Sequence, residues 1–321
     1  MCATERKSIR IGTRESKLAL LQTDMVLDAC KKKFPHHAFE VVGVSTTGDK
    51  VLNKPLSEVG GLGVFVKELE EALLEHRVDF VVHSLKDVPT ARPADLVIPA
   101  VLMRDDPRDV LVSRGNIPFD DLPSGTRVAT SSRRRAAQLG AVRKDLQFVD
   151  IRGNVPTRLR KLDENHCDAM ILAAAGLTRL GLTDRITQYF NPQLSVPAAG
   201  QGALAIECRT EDSEMINLLI ELDEAHVRAE IMAERAFLAR LGGGCSVPIG
   251  VLARMDVLTG VLAVVGCVAD GDRVVRGEIT GTAYSATTIG IQLAEDMLKR
   301  GAAEILDSIL AQRPEPQISP P

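Results

Sequence analysis

The chain has 321 residues, 45% hydrophobic and 26% charged, with a net charge of −4. Single hydrophobic cores stop growing at about 250–300 residues, so this length divides into two or three domains. No apolar run approaches the ~20 residues of a membrane span, no signal-peptide core precedes the first strand, and six scattered cysteines without a CxxC pair argue against a zinc site or a small disulfide framework. In chain order, residues 8–12 read as a short strand, 15–33 as a helix, 39–44 as a strand, 66–75 as a helix and 79–82 as a strand ending at His83. This β-α-β-α-β alternation predicts a parallel sheet with helices on both faces. A second unit begins near residue 102, with strands at 109–112, 127–130, 147–151 and 168–173 and helices at 132–139 and 155–164. The stretch 202–208 follows a Pro/Gly-rich linker and is a strand candidate for return to the first sheet. Beyond it come a helix at 225–241, a glycine loop, strands at 247–254, 260–269 and 272–281, and a long helix at 285–299, an order that suggests a small α+β domain. The predicted division is 1–101 plus 200–222, then 102–199, then 223–312, with a proline-rich disordered tail at 313–321.

Charge is unevenly distributed. Between Arg127 and Lys161 ten arginines and lysines stand against two acids, so this segment carries +8 in a chain of net charge −4. Local basic charge in an acidic chain points to a specific anion site. Four stretches concentrate the chemistry. Arg14 and Ser16 stand where a strand end opens a helix, a place that favours anions. Ser84, Lys86 and Asp87 follow a buried strand, where open α/β sheets place ligands. Thr130, Ser131 and Ser132 precede Arg133, Arg134 and Arg135 at a helix start, a cradle for carboxylates or phosphates. Arg152, Gly153 and Arg158 surround a turn and the first helical turn at Pro156. The rival reading of the basic stretch as a nucleic-acid surface is weakened by the aromatic content of 3%, since single-strand binders need stacking platforms. Cys245 sits in a separate glycine loop, 242–244, whose backbone can approach a bulky group.

These motifs, with Ser45-Thr46-Thr47-Gly48-Asp49, Phe65-Val66-Lys67-Glu68-Leu69-Glu70 and Gly200-Gln201-Gly202-Ala203, resemble the hydroxymethylbilane synthase (porphobilinogen deaminase) family over nearly the whole chain. The resemblance implies an α/β fold class, with two periplasmic-binding-protein type II-like domains plus a C-terminal α+β domain. It implies stepwise head-to-tail condensation of four porphobilinogen molecules with loss of ammonia, then hydrolytic release of linear hydroxymethylbilane. The primer would be one dipyrromethane cofactor, held as a thioether on Cys245. Asp87 matches the family's catalytic aspartate, suited to stabilising a developing cation. Lys86, Ser84, Thr130, Ser131, Ser132, Arg134, Arg135, Arg152 and Gly153 match cofactor-binding positions. Arg14, Ser16, Arg152, Arg158, Arg179 and Gln201 match substrate-binding positions. Arginine suits both sets, because each pyrrole brings an acetate and a propionate and guanidinium binds carboxylates bidentately. No metal is expected. The same resemblance implies a monomeric cytosolic enzyme with porphobilinogen as its partner, and neither nucleic acid nor membrane. Three positions depart from the family: Leu62 stands where lysine is common, Arg133 where leucine is common, and the cysteine loop has one more glycine than the usual pair.

Overall fold

The computed structural model describes residues 8–50, 63–243 and 247–311. Its strands form three sheets. In the first, β1 (Ile9–Arg14) lies parallel between β2 (Phe39–Val44) and β3 (Phe80–Ser84). Strand β10 (Ala203–Arg209) then runs antiparallel between β3 and β4 (Leu96–Arg104). In the second, β6 (Arg127–Ala129) lies parallel between β7 (Gln147–Val149) and β8 (Ala169–Ala173). There β5 (Asp109–Ser113) is antiparallel to β8 and carries β9 (Gln188–Tyr189) on its outer edge. Both sheets thus share one order, three parallel strands followed by an antiparallel one and an edge strand. This is the periplasmic-binding-protein type II-like class, and the sheets are mixed where the β-α alternation predicts parallel ones. The reason is the return of the chain. It leaves the first sheet after β4 and re-enters between β3 and β4, and at the crossing the Asp105 N–H bonds the Gly202 carbonyl at 3.2 Å. Every residue of β10 is buried, as a central strand requires. Its one acid, Glu207, pairs with His83 at 2.8 Å and Arg92 at 2.6 Å.

Helices cover the sheets. α1 (Lys17–Lys33) starts at Ser16, whose hydroxyl accepts from the Ala19 N–H at 3.3 Å. The short α2 (Thr47–Lys50) and α3 (Lys67–Leu74) follow on the first sheet. On the second, α4 (Arg133–Gly140) is capped by Ser132, α5 (Val155–Asp163) by Asn154 with Pro156 in its first turn, and α6 (Ala174–Arg179) follows β8 directly. α7 (Ser213–Ile220) returns along the first sheet. Among the described residues, no helix is long and apolar enough to cross a membrane.

The C-terminal sheet is an antiparallel meander of β11 (Ile249–Met255), β12 (Val261–Asp270) and β13 (Arg273–Thr282). It is covered by α8 (Ala225–Arg240), α9 (Ala286–Met297) and α10 (Ala303–Ala311), with Phe237, Val264, Leu293 and Met297 in one apolar core. A wide turn at Leu298–Ala302, with Gly301 at φ 103°, separates α9 from α10 and ends the predicted long helix. α8 also ties this unit to the first sheet. Arg104 Nη1 meets Glu230 at 2.9 Å and Glu234 at 2.7 Å, all three side chains almost without exposure.

Helices α8 and α9 touch at Gly290, where a Cβ would overlap the Ala233 carbonyl oxygen. A larger residue must push the helices apart. Gly290→Leu is therefore expected to lower stability by about 1–3 kcal/mol or more through overpacking, read as a shifted midpoint in thermal or denaturant unfolding.

Candidate active site

The strand ends of the first two sheets face one cavity of about 490 Å³, within the usual range of about 300–1,000 Å³ for a small-molecule site. The first sheet contributes Arg14 from the end of β1, and Ser84, Lys86 and Asp87 from the end of β3 and the single turn Leu85–Asp87. The second contributes Arg135 from α4, Arg152 and Gly153 from the turn after β7, Arg158 from α5 and Arg179 from α6. Gln201 enters from the returning chain. Ligands are expected at this end of open α/β sheets.

Counterions decide which cations are available. Asp109, at the start of β5, is wholly buried. It accepts two hydrogen bonds from Arg134, at 2.6 and 3.1 Å, and one from Arg135 Nε at 2.9 Å. Ser195 Oγ at 2.8 Å and Gln201 Nε2 at 3.0 Å complete the shell. Burial alone would raise the Asp109 pKa. The two guanidinium charges and the hydrogen bonds outweigh it and hold the carboxylate well below its ordinary range. Arg134 also donates to the Val196 carbonyl at 2.6 Å, so its donors face the protein interior. It does not line the cavity. Arg135, beside it, reaches both Asp109 and the cavity. Arg179 is held by Asp105 at 2.7 Å and the Gly202 carbonyl at 2.6 Å, and also lines the cavity.

Lys86, Arg152 and Arg158 differ. Each lines the cavity, and none forms an ion pair with a carboxylate among the described residues. Arg152 Nε is buried without a hydrogen-bond partner. Arg158 donates from Nε to the Gly153 carbonyl at 2.7 Å, and from Nη2 towards Ser131 Oγ at 3.4 Å. Burial, and next the charges of Arg135 and Arg152, push its pKa down to about 10. Burial likewise pushes Lys86 down to about 8, opposed by Asp87 and reinforced by Arg135. Such a set is short of anions, and a ligand with several carboxylates supplies them.

The remaining expected residues stand nearby. Ser16 lines the cavity from its capping position. Ser84 Oγ lies 2.8 Å from the Gln22 side-chain nitrogen, and both residues line the cavity. Gly153 has φ 115°, and a Cβ there would meet Thr157 at 2.7 Å. Thr130, Ser131 and Ser132 form the rim leading into α4 rather than the lining; Thr130 Oγ1 accepts from the Ser132 N–H at 3.2 Å, and the Ser132 hydroxyl caps α4. Arg133 points outward and is exposed. Cys245 and Leu62 lie outside the described residues. Two contributors have no motif to mark them, Asp109 at the head of an apolar strand and Gln22 inside α1; Phe65, whose ring lies 4.1 Å from the Arg14 Cζ, opens one of the motifs.

A cleft of this electrostatics between two α/β sheets suits a small molecule that carries several carboxylates. The comparisons narrow the class. Residues 9–217 match the family model "Porphobilinogen deaminase, dipyromethane cofactor binding domain", and residues 228–299 match "Porphobilinogen deaminase, C-terminal domain". The porphobilinogen deaminase of Geobacter metallireducens is 48% identical over 305 residues, covering 94% of this chain and 95% of that protein. That of Alkaliphilus metalliredigens is 43% identical over 307 residues, covering 94% and 96%. The chain belongs to the porphobilinogen deaminase family. Among solved structures it is similar to the Bordetella pertussis BvgS VFT2 domain, at TM-score 0.43 and 16% identity, covering 68% of this chain and 87% of that one.

Two outcomes are expected from this electrostatic arrangement. Asp109→Asn removes the charge that balances two buried guanidinium groups, and should cost about 3–5 kcal/mol in denaturant unfolding at neutral pH. The stabilisation from the native carboxylate is fully present above its unfolded pKa of about 4 and fades only on acidification below it. Lys86 is also shifted down, but in a base this disfavours the charged form. Its folded pKa lies below the unfolded value, so it is charged below about pH 8 and neutral above. Binding of a pyrrole dicarboxylate should weaken as pH rises through about 8, and a Lys86→Arg variant should lack that step in calorimetric titrations.

Proposed function

We propose that the chain works as a hydroxymethylbilane synthase in tetrapyrrole biosynthesis, joining four porphobilinogen molecules head to tail, losing ammonia at each step and releasing the linear tetrapyrrole by hydrolysis. The observation that carries this reading is the cavity itself: Lys86, Arg152 and Arg158 stand without carboxylate partners around Asp87, and Arg152 keeps a buried donor unsatisfied. Every porphobilinogen unit brings two carboxylates. The same residues fit the dipyrromethane cofactor, whose thioether anchor is Cys245. When bound, that group supplies the pyrrole terminus that accepts each new unit.

The protein's own groups do the following. Arg135, Arg152 and Lys86 hold cofactor carboxylates, with Ser84, Gly153 and the rim residues Thr130, Ser131 and Ser132 beside them. Arg134 supports this set through Asp109. Arg14, Ser16, Arg158, Arg179 and Gln201 orient the incoming substrate. Asp87 accepts a hydrogen bond from the substrate pyrrole N–H and offsets the positive charge that develops as ammonia departs. It is also placed to move a proton during the substitution. The proposed domains are 1–101 plus 200–222, 102–199 and 223–312, the last carrying the cysteine loop; β4 (Leu96–Arg104) of the first sheet runs past the first boundary. The enzyme acts as a cytosolic monomer.

Intact-protein mass spectrometry tests the core of this reading. Freshly purified protein should weigh two pyrrole units more than its polypeptide, and further units should accumulate on addition of porphobilinogen. Cys245→Ser should return to the bare mass. A wild-type protein at the bare mass that releases no ammonia from porphobilinogen would overturn the reading.

A further inference from the structure

Helix α8 braces the turn that carries Asp87 from both sides, through two adjacent residues. Glu234 accepts a hydrogen bond from the Gly200 N–H at 2.7 Å. Gly200 in turn lies against Leu85, so closely that a Cβ on it would sit 2.9 Å from the Leu85 Cγ. Leu85 is the first residue of the turn Leu85–Asp87. On the other side, Arg235 donates to the Val88 carbonyl at 2.9 Å and the Pro89 carbonyl at 2.6 Å. These are the two residues after Asp87. The turn is closed by the Val88 N–H on the Leu85 carbonyl at 3.1 Å. Asp87 therefore stands between two points fixed by one helix.

Arg235 forms no ion pair with a carboxylate among the described residues. Burial, and then the charge of Arg92, push its pKa down to about 10. Holding a half-buried guanidinium here is costly, and its gain is the fixation of two main-chain carbonyls by charged donors. The segment fixed in this way bears the one carboxylate assigned to the chemistry. α8 itself ends at Arg240, a few residues before Cys245.

We propose that Arg235 is a positioning residue for the reaction: by holding the Val88 and Pro89 carbonyls it aims the Asp87 carboxylate at the reacting centre, and it links that aim to the helix leading to the anchor cysteine. The inference rests on the role assigned to Asp87 above. Misplacement of a reacting group by about 1 Å can cost about 100-fold in rate. The test uses full-length enzyme already carrying its cofactor, with the loaded fraction counted by mass. Arg235→Met should lower kcat per loaded enzyme by about 10–100-fold while KM stays within about threefold. Arg235→Lys, which keeps a charged donor, should recover most of that loss. In an Asp87→Asn background, Arg235→Met should lower kcat no further, because both changes act on one carboxylate. Wild-type kcat in loaded Arg235→Met, or independent losses in the double variant, would overturn the proposal. Should Arg235→Met fail to fold, Arg235→Gln carries the same comparison. Wild-type turnover by Asp87→Asn would remove the assignment of Asp87 and the positioning proposal with it, whereas collapse of Asp87→Asn beside an unimpaired Arg235→Met would remove the positioning proposal alone.

Discussion

The Asp109 carboxylate is the contact on which the cleft depends. It is fully buried, and its hydrogen-bond partners come from α4 and from the returning chain at 195–201. One charge thereby joins three pieces of backbone that are far apart in sequence. It also permits two adjacent arginines to be dehydrated together, which their mutual repulsion would otherwise oppose. Arg134 is committed wholly to this knot, and Arg135 only in part, so that Arg135 can still face a ligand.

The basic segment 127–161 is sorted by the same logic. Its outward-facing cations mostly find acids: Arg127 meets Asp168 at 3.0 Å, Arg143 meets Asp145 at 2.7 Å, and Lys144 meets Asp272 at 2.7 Å. Of its inward-facing cations, Arg134 and Arg135 share Asp109, whereas Arg152 and Arg158 form no ion pair with a carboxylate among the described residues. The excess charge is therefore gathered in the cleft rather than spread over a face, which is the distribution a compact polyanion needs and a nucleic-acid backbone does not. Lys86 adds to the gathering from the opposite sheet.

Strongly periodic elements such as α3, α5 and the three C-terminal strands were legible in the sequence, because their apolar spacing reports one buried face. β4 was not. Pro99 stands inside it and argues against a strand, yet β4 is an edge strand, where proline is tolerated. The antiparallel entry of β10 was equally hidden, since local pattern carries no strand direction. In the cleft, Arg14, Lys86, Asp87, Arg152 and Arg158, which the motifs marked, line one cavity. The motifs could not tell Arg134 from Arg135. That difference is set by where Asp109 and the Val196 carbonyl sit, and both arrive from other parts of the chain.

The buried Arg152 Nε couples the cleft to the stability of the fold. A ligand carboxylate set beside this nitrogen would offset the cost of burying it. Whatever occupies the cleft tightly shifts the folding equilibrium in its own favour.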